Sequence, residues 1–163
     1  MLVSATITFE EVVLFIHIAA VVIAFGLVIG YPFIALAAER LDHRALPALH
    51  RSRTQLGRLI VNPGLALVLI SGIYLASEDH DWKYFFTQWG LGMVVVLGGL
   101  EGAVVMRGES KLAELAEAEV AVSGPTGVLS DEYTRTRTRT DMASRLMAVL
   151  VIVTLFFMAS QLS

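Results

Sequence analysis

Cysteine is absent from the chain, which excludes disulfides, thiolate catalysis and cysteine-based metal sites. Basic residues are absent from both ends: none precedes Arg40 and none follows Arg145. With no positive residue before the first apolar run and no small-residue cleavage motif after a short one, no cleaved signal peptide is expected. Also missing are a Gly-rich phosphate loop, a Ser/His/Asp set and an HExxH-type motif, so nothing points to hydrolysis or phosphoryl transfer. The net charge is small, −3, and gives no sign of a nucleic-acid partner.

What is abundant is hydrocarbon. The hydrophobic fraction is 56% and the mean hydropathy +0.70, too apolar for an ordinary soluble domain. Four runs, at about 11–38, 59–76, 89–106 and 146–162, approach the roughly 20 residues a bilayer-crossing helix needs. Tyr74, Trp82, Tyr84, Phe85, Phe86 and Trp89 cluster around the 77–88 turn, as in an interfacial aromatic belt. All 12 basic residues except Lys83 fall in two connections, 39–58 and 107–145. The positive-inside rule then puts both connections in the cytoplasm and both termini outside. The expectation is an all-α antiparallel bundle of four transmembrane helices, forming one domain in a bacterial inner membrane.

The connections have character of their own. GESKLAELAEAEVAV is strongly helix-forming, so the third span is expected to continue to about Val122. SGPTG, 123–127, is a turn signal, and Ser130 is placed to cap a returning helix through TRTRTRT, 134–140. Together, 108–145 reads as a charged helical hairpin. The 39–58 connection nets positive. Arg40, Arg44, Arg51, Arg53 and Arg58, with Arg135, Arg137 and Arg139 of the hairpin, are candidates for docking on anionic headgroups or an acidic partner. His43 and His50, read as exposed and with no third ligand, make a poor metal site, as does the acidic turn Glu78, Asp79, His80, Asp81. No metal is expected.

Polar groups within the spans carry the functional signal, because an ionisable residue there costs about 3 kcal/mol even on lenient scales. His17 sits in VVLFIHIAAVVIAFG and Glu101 in VLGGLEGAVVM. Counting depth from Glu10 and Leu91 leaves an axial mismatch of about 5 Å, so a His17–Glu101 contact is open. His17 can equally donate to a backbone carbonyl or to a hydroxyl such as Tyr74. Glu101 can stay protonated, or meet Arg145 or Arg58. Asn62, in Asn62-Pro63-Gly64, is available for an interhelical hydrogen bond where the proline predicts a kink or a shortened start. Gly26 with Gly30 and Gly98 with Gly102 form GxxxG patterns suited to close helix packing.

Leu14-Phe-Ile-His17-Ile, Asn62-Pro63-Gly64, Ser71-Gly72-Ile73-Tyr74 and Trp89-Gly90 together resemble a bacterial family of small integral membrane proteins, domain of unknown function 2269. That family is in turn similar to four-helix proteins containing the HemJ-type protoporphyrinogen oxidase and the copper-resistance D membrane domain. The resemblance implies a haem-binding role, with haem b, for an early first-span histidine, which only His17 matches. It also implies further polar groups in the membrane, notably a lysine, and here the sequence departs. Lys83, Lys111, His43, His50 and His80 all lie in connections. A bis-histidine haem is excluded within one chain unless a loop folds in, whereas single-histidine ligation, or Met93 or Met106 as second ligand, stays open.

Three functions follow. The first is a non-catalytic accessory subunit of a larger envelope complex, in transport or respiration, partnered by the bilayer and other membrane subunits. The second is a haem- or quinone-associated redox protein using His17. The third is a small proton-coupled carrier using Glu101.

Overall fold

The computed structural model describes residues 7–38, 43–78, 81–124 and 128–160. Helix α1 spans Phe9–Ala38. A second rod joins α2 (Leu46–Leu56), a π-turn (Gly57–Val61) and α3 (Asn62–Glu78). A third joins α4 (Phe85–Leu100), a second π-turn (Glu101–Val105) and α5 (Met106–Ser123), and α6 (Asp131–Ser160) is the fourth. All four rods are long and apolar enough to cross a membrane. At 30 residues α1 and α6 each reach about 45 Å, against a hydrocarbon core of about 30 Å.

Each rod packs on its neighbours in chain order, and α6 closes the ring against α1, an up-down-up-down bundle. Ala24, Phe25, Val28, Val61, Leu65, Leu97, Met147 and Val151 fill its centre. Beyond the end of α1, the second, third and fourth rods continue together as α2, α5 and the first half of α6. Leu46, Leu112, Ala116 and Tyr133 close a second small core there. We call this the hairpin side, and the end with residues 9 and 160 the terminal side.

A seam repeating every three or four residues organises the buried faces. It runs through Leu46, His50, Arg53 and Gly57 on the second rod and Val105, Glu109, Leu112 and Ala116 on the third. On α6 it runs through Tyr133, Thr140, Ser144, Met147, Val151 and Thr154. TRTRTRT is helical despite its β-like alternation. Thr134, Thr138 and Thr140 each donate to the carbonyl four residues back, and Ser130 Oγ accepts from Tyr133 N at 3.1 Å as the N-cap. α5 ends at Gly124, whose φ of 74° suits a residue without a side chain.

The hairpin is held by pairs other than a simple acidic-against-basic match. Lys111 of α5 meets Glu132 of α6 at 2.5 Å, Glu119 accepts from Ser130, and Glu117 instead pairs with Arg51 on α2.

Asn62-Pro63-Gly64 opens α3 but not a new rod, because α2 and the π-turn lead straight into it. Proline cannot donate an N–H, and its ring crowds the carbonyl four residues back. Here the turn just before it widens, so that Asn62 N–H reaches back five residues to Gly57 O. The rod runs through the proline without a break.

The GxxxG patterns do not pack inside the bundle. A Cβ added to Gly26, Gly30, Gly98 or Gly102 would meet nothing within 4 Å. The close approach lies elsewhere: a Cβ on Gly64 would stand 2.8 Å from that of Ala24 and so force α3 off α1.

Candidate functional site

On the hairpin side the seam positions of three rods place charged groups in the interior. Glu109 is 1% exposed and Arg53 8%. Arg53 Nη1 donates to Glu109 Oε1 at 2.6 Å and Nη2 to Ser144 Oγ at 2.5 Å, while its guanidinium lies 4.4 Å over the Tyr31 ring. His50 Nδ1 lies 2.6 Å from Glu109 Oε2, and its Nε2 lies 2.9 Å from the Tyr133 hydroxyl. The network assigns the tautomer: Nδ1–H donates to the carboxylate and Nε2 accepts from Tyr133. Through His50 and Arg53, this one carboxylate on α5 thereby ties α2 and α6 to it at a single level.

One turn nearer the bilayer centre the two π-turns face each other. Glu101, 2% exposed, rests its carboxylate against Gly57, where an added Cβ would come within 2.7 Å of Oε1. Its charged neighbours are Arg53 and Glu109. Asn62 Nδ2 approaches Met106 Sδ across the same junction at 3.2 Å.

On the terminal side, His17 forms the second polar feature. Ser71 Oγ donates to Leu67 O at 2.5 Å, so toward His17 it serves as an acceptor, and Nδ1 of the imidazole approaches it at 2.8 Å. That places the ring proton on Nδ1 and the lone pair on Nε2. Two cavities of about 220 and 180 Å³ adjoin His17, sharing Val68, Gly90, Val94 and Met158 as walls. Each exceeds the ~150 Å³ apolar cavity that accepts a benzene ring. Aromatic packing of Phe85, Trp89 and Phe157 adjoins this end.

A family model described as predicted integral membrane protein (DUF2269) matches residues 11–161. The chain belongs to the DUF2269 family. No curated protein and no solved structure matches it.

In this DUF2269 protein His17 and Glu101 do not meet. Their neighbours on the second rod, Ser71 and Gly57, are about 20 Å apart along its axis at about 1.5 Å per residue. The depth count from Leu91 misplaces Glu101 because α4, the start of the third rod, begins at Phe85. Glu101 also faces Arg53 rather than Arg145 or Arg58, both of which are exposed. Of the proposed second haem ligands, Met106 lies at the π-turns beside Asn62; the methionine that lines both cavities with His17 is Met158.

The docking arginines divide. Arg53 is turned inward, bound to Glu109 and Ser144, and so is not a headgroup or partner contact. His50, likewise, is buried rather than exposed. Arg51 is exposed and paired with Glu117, and Arg137 is half-buried with Asp141 at 3.6 Å. Arg44, Arg58, Arg135 and Arg139 are exposed. Arg40, Asp79 and His80 lie outside the described residues. Glu109, Tyr133 and Ser144 escaped the sequence reading as site residues, although their seam spacing with Leu112, Ala116 and Met147 marks their faces as buried.

Proposed function

We propose that this protein holds a flat, lipophilic cofactor of the haem class at His17. The observation that carries this reading is the Ser71–His17 hydrogen bond, which leaves the lone pair on Nε2 of an imidazole that lines two apolar cavities. A metal-bound imidazole characteristically donates its other N–H to a neighbouring acceptor. Nε2 of His17 and the Met158 thioether are the donor atoms that would hold the iron, and the absence of a side chain at Gly72 and Gly90 leaves room for the imidazole and the thioether respectively. The bound group would supply one-electron chemistry.

Titration of purified protein with haem is expected to give a Soret band whose position and affinity change in His17→Ala. Ser71→Ala should weaken binding about 10-fold or more, as loss of an outer-shell partner does. Haem binding that is absent, or the same in wild type and His17→Ala, would overturn the reading.

A second reading, an accessory subunit of a bacterial envelope complex, is favoured by one feature. Thr134, Arg135, Thr138, Arg139 and Met142 form an open, exposed face on α6. With the connections in the cytoplasm, this face would meet an acidic partner or anionic headgroups. Arg135→Glu with Arg139→Glu is expected to abolish co-purification of a larger assembly from native membranes without altering the fold. Wild-type protein that always purifies alone would rule the subunit role out.

A further inference from the structure

One stripe of α6 stays exposed along the whole bundle. Met142, Leu146, Val149, Ile152 and Phe156 repeat every three or four residues and none is covered by another rod. Arg139 and Arg135, also exposed, continue the same line outward on the hairpin side. There an open hollow of about 400 Å³ is lined by Thr134, Arg135, Thr138, Arg139 and Met142. We propose that Arg135 and Arg139 bind the phosphate of an anionic phospholipid in the hairpin-side leaflet, with one acyl chain lying along Met142, Leu146 and Val149.

Both arginines are available. Arg51, Arg53 and Arg137 are held in ion pairs, whereas the side chains of Arg135 and Arg139 have no hydrogen bond or ion pair among the described residues. Depth decides which anion reaches them. Arg53 binds Ser144 while lying over Tyr31, so those two residues share a level. At about 1.5 Å per residue, Ile34, where the first span ends, is about 4–5 Å outward of Tyr31, and Arg139 is about 7–8 Å outward of Ser144. Counting back from Ser160, the roughly 20 residues that cross the hydrocarbon core end at about Asp141. Both measures place Arg139 just past the hydrocarbon edge, in a headgroup layer about 5–7 Å deep on each face. Arg135 follows one turn further out, about 6 Å. A soluble acidic protein would have to enter that layer to reach Arg139, whereas lipid phosphates already lie in it. Thr134 and Thr138 give their hydroxyl protons to backbone carbonyls, so the two guanidiniums are the donors lining the hollow. None of the lining residues is acidic, so a headgroup bearing an ammonium would set that cation against two others. This proposal rests on the exposed α6 face of the subunit reading but on no protein partner. Purified protein in defined lipid tests it, and co-purification from native membranes tests the subunit role.

Full-length protein in mild detergent is given equal amounts of phosphatidylglycerol and phosphatidylethanolamine with identical chains, and retained lipid is read by native mass spectrometry. An arginine at an anionic surface contributes about 5-fold, so wild type is expected to favour phosphatidylglycerol by at least about 10-fold. Arg135→Gln with Arg139→Gln should bring the two lipids within about 2-fold of each other. Arg58→Gln, which removes an exposed arginine on the second rod, should keep the wild-type preference. A smaller preference in wild type would overturn the proposal, as would an undiminished one in the folded double variant. An equal fall in Arg58→Gln would reduce the effect to net charge and overturn it too. The wild-type comparison decides the matter even where the double variant fails to fold. Two soluble competitors at the lipid's concentration complete the test: displacement by glycerophosphoglycerol would mean a phosphate site without a tail, and displacement by a polyglutamate peptide an acidic-protein site. Either result would make the lipid assignment wrong.

Discussion

Glu109→Ala should destabilise the protein by about 3–5 kcal/mol, the usual cost of removing one partner from a buried ion pair. The carboxylate accepts from both Arg53 and His50, so its loss strands two buried polar groups at once. The double variant Arg53→Met, Glu109→Met should recover the part of that loss that comes from the stranded Arg53, because replacing a whole buried pair with apolar side chains is often neutral, while His50 still lacks its acceptor. Unfolding midpoints in one detergent, followed for the wild type, both single variants and the double variant, give the coupling directly. A Glu109→Ala variant within about 0.5 kcal/mol of wild type, the range of ordinary surface changes, would mean that the network does not hold the hairpin side together.

Gly64→Leu carries the next largest expected effect, about 1–3 kcal/mol or more from overpacking. Gly64 faces the Cβ of Ala24 and the backbone of Ala20, and neither can swing aside as a long side chain would. Gly26→Leu supplies the contrast: a Cβ there meets nothing within 4 Å, so it should stay within about 0.5 kcal/mol of wild type. Because the chain has no native cysteine, a cysteine pair across α1 and α3 can report the same effect by disulfide formation. The pair should cross-link in Gly26→Leu and fail to do so in Gly64→Leu. Equal stability of the two variants would contradict the packing described.

How much of this was written in the residues depends on the signal each feature carries. The four spans and the returning hairpin follow from length, hydropathy and a capping serine, all of them local signals. His50, Arg53 and Glu109 were hidden because they are charged or polar residues in charged connections, where exposure is the ordinary expectation. Their burial depends on three rods continuing side by side past the end of the first, which is a tertiary fact. The clue that was present is spacing: Leu46, His50, Arg53 and Gly57 fall on one helical stripe, as do Val105, Glu109, Leu112 and Ala116. The GxxxG patterns misled for the opposite reason. A small residue permits close approach without specifying a partner, and in this bundle other glycines make the contact. His17 was visible from the start, yet which of its nitrogens bears the proton depends on Ser71, 54 residues away in sequence.

The paired π-turns have a geometric consequence for the two halves of the molecule. Each turn carries one residue beyond the α-helical count, which advances the side-chain directions beyond it by about 100°. If only one rod made that advance, the residues meeting across the second and third rods would fall out of phase on one side of the junction. Both rods make it at the same level, so the membrane half and the hairpin half each keep their own register. Deleting a single residue from 57–61 alone would therefore turn His50 and Arg53 away from Glu109 while leaving the span below intact. A matching deletion in 101–105 would bring the two rods back into phase.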